Sequence, residues 1–155
     1  MRYSVVLDAG VSLSSKDFQT FREQIAIYLA DPDGWGRDIA FEEVNSDPDV
    51  VIHLSSPEDI RKAGCTDTHL SCAELGGKHM RLNSMRWFRG AKESGLGLEE
   101  YRQYMVSHEM GHILGHDHDT CPRPGTPAPV MMQQTLGIGK CTPNTKLTEN
   151  DRRRK

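Results

Sequence analysis

Apolar side chains along this chain fall into short runs whose spacing shifts between continuous, alternating and helical, and each shift marks an expected element. Arg2–Leu7, with Tyr3, Val5, Val6 and Leu7, predicts a strand. Ser14 followed three places later by Asp17 marks a helix start, and Phe18, Phe21, Ile25 and Tyr28 then recur at spacings of three and four, giving that helix one apolar face. Asp31 and Pro32 should end it, because the position before a proline is disfavoured in the helical region. Ile39 and Phe41 alternate with polar neighbours as in a half-buried strand, while Val50, Val51 and Ile52 form the continuous run of a central one. A further strand is expected at Lys78–Asn83. A second helix is predicted over Leu98–Leu114, which contains no proline and repeats Leu98, Tyr101, Met105, His108 and His112 at three and four. Strand, helix, several strands, helix and an irregular C-terminal part make an α+β pattern.

Length and composition narrow this picture. A chain of 155 residues and 17.4 kDa fits one domain. We expect residues 1–150 to form it and residues 151–155 to be a basic, solvated, disordered tail. With 36% hydrophobic residues the chain can bury a proper core, so a metal here would be functional rather than a structural staple. Net charge is −3; without Arg152, Arg153, Arg154 and Lys155 the remainder carries 15 basic against 22 acidic side chains, a balance that argues against a nucleic-acid surface. The longest apolar stretch, residues 25–30, is too short to span a membrane, and the apolar run near Met1 is too short for a signal-peptide core.

The four cysteines, Cys65, Cys72, Cys121 and Cys141, contain no C-x-x-C pair, which argues against a zinc ribbon or a thioredoxin-like motif. Pairing Cys65 with Cys72 and Cys121 with Cys141 closes the shortest loops and is favoured. Two disulfides imply an oxidising compartment, hence an extracellular or exported protein, whereas four free thiols would fit the cytoplasm.

The informative segment runs from His108 to His118 and satisfies H-E-x-x-H-x-x-G-x-x-H without a mismatch. In chains of this composition the full pattern should arise by chance about once in ten thousand. Residues four apart on a helix lie about 6 Å from one another, so His108 and His112 can converge on one ion. Position 116 on the same straight helix would lie about 12 Å from position 108, while zinc–nitrogen bonds are about 2 Å, so the helix must end before a third ligand arrives. Gly115 is where it can end, because glycine adopts the left-handed conformation without steric cost. His118 is the chosen third ligand, with His116 as competitor and Asp117 and Asp119 behind it. Three neutral imidazoles would leave a zinc ion an open position for water, and Glu109 would take that water's proton and pass it to the departing amine. Cys121 is close enough in sequence to close the site as a fourth ligand instead. His53 and His69 are read as ordinary strand or loop histidines, and His79 as part of the Lys78–Asn83 strand.

This long motif resembles that of the metzincin clan of zinc endopeptidases, in which a tight turn carrying a methionine lies beneath the metal. The resemblance implies a zincin-like mixed, twisted sheet, and it implies that Pro129–Gln134 holds the Met-turn, with Met131 as the floor residue and Met132 as alternate. It also implies that a strand preceding the zinc-binding helix pairs with extended substrate, placing His79–Asn83 near the cleft. Many metzincins carry a tyrosine two residues after that methionine; Gln133 stands there in this chain, so a second oxyanion donor is unassigned. More narrowly, Asp31, Pro32, Arg86, Trp87, the motif running into Cys121 and Pro122, Ala128–Thr135, Cys141, Pro143 and Asn144 resemble an uncharacterised bacterial family of small, often exported zincin-like domains. The expectation is therefore a monomeric zinc-dependent endopeptidase with one catalytic zinc ion, hydrolysing internal bonds of an extended polypeptide by zinc-activated water. The competing readings are a non-catalytic zinc-binding or interaction domain and a zinc hydrolase acting on a non-peptide amide.

Overall fold

A computed structural model describes residues 1–153. Five strands form one mixed sheet: β1 (Arg2–Leu7), β2 (Glu42–Glu43), β3 (Val50–Ser55), β4 (Cys72–Ala73) and β5 (His79–Asn83). Their order is β2-β1-β3-β5-β4, parallel throughout except for β4, which runs antiparallel to β5 at the edge. The helices are α1 (Ser15–Leu29), α2 (Pro57–Lys62), α3 (Ser84–Arg89), α4 (Leu98–Ile113) and α5 (Glu149–Arg152). The expected α+β class is what the chain adopts.

The long helices form for local reasons. Ser14 caps α1 by accepting the amide of Asp17 at 3.1 Å, and α1 stops at Leu29, before Asp31 and Pro32. Its buried Phe21, Ile25, Tyr28 and Leu29 meet Tyr3, Val50, Ile52, Leu54, Met80 and Leu82 from one face of the sheet, and Tyr101, Met105, Val106 and Met110 from α4 join the same cluster. Side chains alternate along a strand, so His53 and Ser55 point away from this core. No helix among the described residues is long and apolar enough to cross a membrane.

Two expectations shift, and two short helices are added to those expected. The strand anticipated around Ile39 and Phe41 is β2, because pairing with β1 starts only where Glu42 donates to the Met1 carbonyl; Phe41 packs against the core from the irregular segment before it. Helices α2 and α3 lack an apolar period long enough to be read, although α2 carries its own signal in Ser56 and Asp59, which cap each other. The tail boundary falls inside α5: Asp151 is buried, while residues 154–155 of the expected tail lie outside the described residues. The cysteines pair as Cys65–Cys72 and Cys121–Cys141.

Asp151 clamps the turn that carries Met131. Its carboxylate accepts the amides of Val130 and Met131, each at 2.9 Å, and the amide and hydroxyl of Thr148 at 2.8 and 2.9 Å. Removing it would strand two backbone donors in a buried site, each hydrogen bond to a charged group being worth about 1.5–3 kcal/mol. Asp151→Ala should lower stability by about 3 kcal/mol in denaturant unfolding; a loss below about 1 kcal/mol would show that this clamp contributes little.

Candidate metal centre and its cleft

Helix α4 is buried around its whole circumference from Tyr104 to Ile113, which is unusual for a helix this polar and puts His108, Glu109 and His112 inside the protein. It ends in a Schellman turn: Gly115 takes φ +93°, its amide donates to His112 O, and the His116 amide donates to Gly111 O, both at 2.9 Å. The amide of Gly76, in the turn between β4 and β5, adds a 2.8 Å bond to the same His112 carbonyl. The chain then reverses and brings His118 back. Ring nitrogens of His108, His112 and His118 lie within 4.8 Å of one another, with Nε2 of His112 and Nε2 of His118 at 3.1 Å.

The orientation of the imidazoles follows from their partners. Nδ1 of His108 lies 2.7 Å from Val130 O, and Nδ1 of His112 lies 2.8 Å from His116 O. A carbonyl can only accept, so both Nδ1 atoms carry the proton and both Nε2 atoms present lone pairs to the shared space. Burial, reinforced by His112 and His118, pushes His108 down to about 3, and burial also lowers His112, so both are neutral. Three imidazole nitrogens converge here, the arrangement that suits a borderline divalent ion such as zinc. Next to them Glu109 is buried, its Oε2 has no hydrogen-bond partner among the described residues, and burial pushes its carboxyl up to about 8. An unpartnered carboxylate oxygen facing a cluster of nitrogen donors fits a site completed by a cation and water.

His116 is directed elsewhere, its ring 4.7 Å from that of Trp35. The Asp117 carboxylate accepts the His118 amide, and Asp119 bridges to Met132, its amide donating to Met131 O. Cys121 is bound to Cys141, which removes it as a thiolate ligand and overturns the idea that it closes the site. Met131 is buried with its sulfur against Gly111; Met132 is half-buried. His69 lies in the loop between the first two cysteines, and His53 and His79 are on the sheet, outside this cluster.

A cleft opens beside the histidines. One wall is the disulfide loop from Cys65 to Cys72 with Ala73; the other is Tyr101, Tyr104 and Met105 of α4, with Gln133 and Thr135 beyond. The sheet edge facing this cleft is β4, which corrects the expectation for His79–Asn83: β5 is enclosed between β3 and β4. Several supports were not foreseen. Tyr104 donates to Met132 O at 2.8 Å and accepts the Gln134 amide at 2.9 Å, and Trp35 donates to Ser107 O at 2.8 Å. Asn83 holds the disulfide loop by donating to Thr68 O, and Arg86 by donating to His69 O. These contacts left no local signal in the sequence, unlike the Asp151 clamp, which is announced by the Thr148–Asp151 capping pattern.

The family model described as "Protein of unknown function (DUF3152)" matches residues 1–152. No curated protein matches the chain in sequence. Among solved structures, archaemetzincin from Archaeoglobus fulgidus, complexed with malonate, superposes with a TM-score of 0.54 at 15% identity, covering 97% of this chain and 98% of that one. Archaemetzincin from Methanopyrus kandleri gives a TM-score of 0.51 at 16% identity, covering 97% and 91%. The fold is thus zincin-like, of the metzincin type.

A Cβ at Gly111 would lie 2.2 Å from Met131 Sδ and 3.2 Å from the Trp35 ring. Gly111→Ala should therefore destabilise the chain by up to about 3 kcal/mol, overpacking outweighing the helix-propensity gain. In a Met131→Ala background the same change should cost about 1–2 kcal/mol less, the approach of the Trp35 ring remaining. Thermal or denaturant melts of the four proteins test this coupling, and equal effects in both backgrounds would refute the close packing.

Proposed function

The chain belongs to the DUF3152 family, and from the histidine cluster at the end of α4 we propose that it is a zinc-dependent endopeptidase cleaving internal bonds of an extended polypeptide. The observation that carries this reading is the convergence of three ring nitrogens within 4.8 Å beside the unpartnered, buried oxygen of Glu109. His108, His112 and His118 would hold one zinc ion. When bound, zinc supplies Lewis acidity, polarising a carbonyl and making water acidic enough to act near neutral pH. Glu109 is the group that would move protons: burial alone raises its carboxyl to about 8, a cation held beside it would favour the ionised form, and that carboxylate would take a proton from the attacking water and return it to the departing amine nitrogen. Its burial excludes competing solvent, and the carbonyls of Val130 and His116 keep the first two imidazoles in the ligating tautomer.

Substrate is held by backbone. β4 is an edge strand whose Cys72 and Ala73 line the cleft, so an extended peptide can add to it through main-chain hydrogen bonds, a mode that reads shape more than sequence. The Met131 turn supports the metal-binding helix from below, at Gly111. The whole of residues 1–152 acts as one catalytic unit, a monomer, and its two disulfides suit an exported protein working in an oxidising compartment.

Mapping of new peptide termini by mass spectrometry, after incubating zinc-loaded protein with a complex peptide mixture, tests this. Cuts by the parent should fall by about 10²–10⁴-fold in Glu109→Ala while zinc content stays at the parent's level. Silence from a parent that holds zinc would sink the peptidase reading, and equal cutting by the variant would remove Glu109 from its role. His118→Ala should lose zinc and His116→Ala should keep it; the reverse would reassign the third ligand.

A further inference from the structure

On the sheet face turned away from the core, three polar side chains meet across β1, β3 and β5. Nδ1 of His53 lies 2.9 Å from Asp8 Oδ1, and Nε2 of His53 lies 2.9 Å from Nδ1 of His79. The second Asp8 oxygen accepts the Ser55 hydroxyl at 2.6 Å. The register explains the meeting: Val6 pairs with His53 and Val51 with His79, so Asp8 and His79 flank His53 from the two neighbouring strands. Nothing in the cleft uses this cluster.

Its proton arrangement follows from the partners. The Asp8 carboxylate accepts from Nδ1 of His53, which leaves a lone pair on His53 Nε2 aimed at His79. A proton on His79 Nδ1 bridges the two rings; moving that proton to Nε2 of the same ring leaves two lone pairs facing each other, an arrangement that a cation between them stabilises. His53 is 9% exposed whereas His79 is at the surface, so one ring is fixed and the other can turn to widen the gap. Burial, helped by His53, Arg81 and Lys78 and opposed by Glu74, pushes His79 below its ordinary value, which keeps it in the neutral form that ligates.

We propose that His53 and His79 form a second metal site, separate from the three-histidine cluster, for a borderline divalent transition ion. Two imidazole nitrogens select copper, nickel or zinc over calcium or magnesium, which require oxygen donors, and copper should bind most tightly. Asp8 holds His53 from behind as a carboxylate partner of a ligating histidine, with Ser55 fixing that carboxylate in turn. Water completes the coordination shell, and the nearby Lys78 and Arg81 charges make this site weaker than the three-histidine cluster.

Equilibrium dialysis against Cu²⁺ near neutral pH, with metal analysis, decides the matter independently of any peptidase activity. The parent should take up two equivalents, His79→Ala one, and a His108→Ala, His112→Ala variant one. In that last protein the copper EPR spectrum should show nitrogen couplings that disappear when His79→Ala or His79→Gln is added. A single equivalent in the parent, or two retained by His79→Ala, would overturn the site.

Discussion

The site depends on where α4 stops. Two histidines a helical turn apart can face one point only while the helix continues, and a third can reach that point only if it does not. The Schellman turn at Gly115 resolves this conflict within four residues, and its consequences spread in both directions. Downstream, the reversed chain delivers His118 and pins Asp119 to the Met131 turn. Upstream, the same reversal places the His116 carbonyl against Nδ1 of His112, so the turn that ends the helix also sets the tautomer of a residue inside it. The left-handed φ at Gly115 is available to glycine at almost no cost, and a side chain there would be strained even in open space.

A buried polar helix needs external support, and its supports come from far along the chain. Trp35, which follows α1, bonds Ser107 across 72 positions, and Val130 accepts His108 across 22. Asp151 then holds Val130 and Met131 by their amides, so a carboxylate near the C-terminus fixes the carbonyl that orients the first histidine. The Cys121–Cys141 disulfide closes the intervening segment. Each link satisfies a backbone group that burial would otherwise leave costly, which is why the polar centre and the hydrophobic core can share one helix.

This division explains what could be read from the sequence. Spacing rules act within a few residues, so α1, α4, β1 and β3 were legible from their apolar periods, and the histidine motif from its helical repeat and its glycine. Helical spacing is silent past the turn, so His116 stood as competitor to His118, the position the long motif favours; in the structure the His116 ring lies against Trp35 while His118 lies beside His108 and His112. Strand β4 has only two residues, and the disulfide loop that forms the cleft wall is held by Asn83 and Arg86 at a distance, with no period to announce either. Asp151 was hidden by its basic neighbours, because a charge run reads as solvated unless the capping pattern beginning at Thr148 is weighed against it.

The two histidine groups of this fold differ in what stands behind the rings, and that difference assigns them different work. His108 and His112 are backed by carbonyls, neutral acceptors that orient an imidazole without adding charge, so an ion held there keeps its full positive charge toward the cleft. His53 is backed by the Asp8 carboxylate, whose negative charge would offset part of an ion's charge. On the readings proposed above, the first arrangement would suit polarising a substrate and the second holding a cation on the far side of the sheet. Strand alternation keeps them apart, since His53 points away from the core that α4 shares with Ile52 and Leu54.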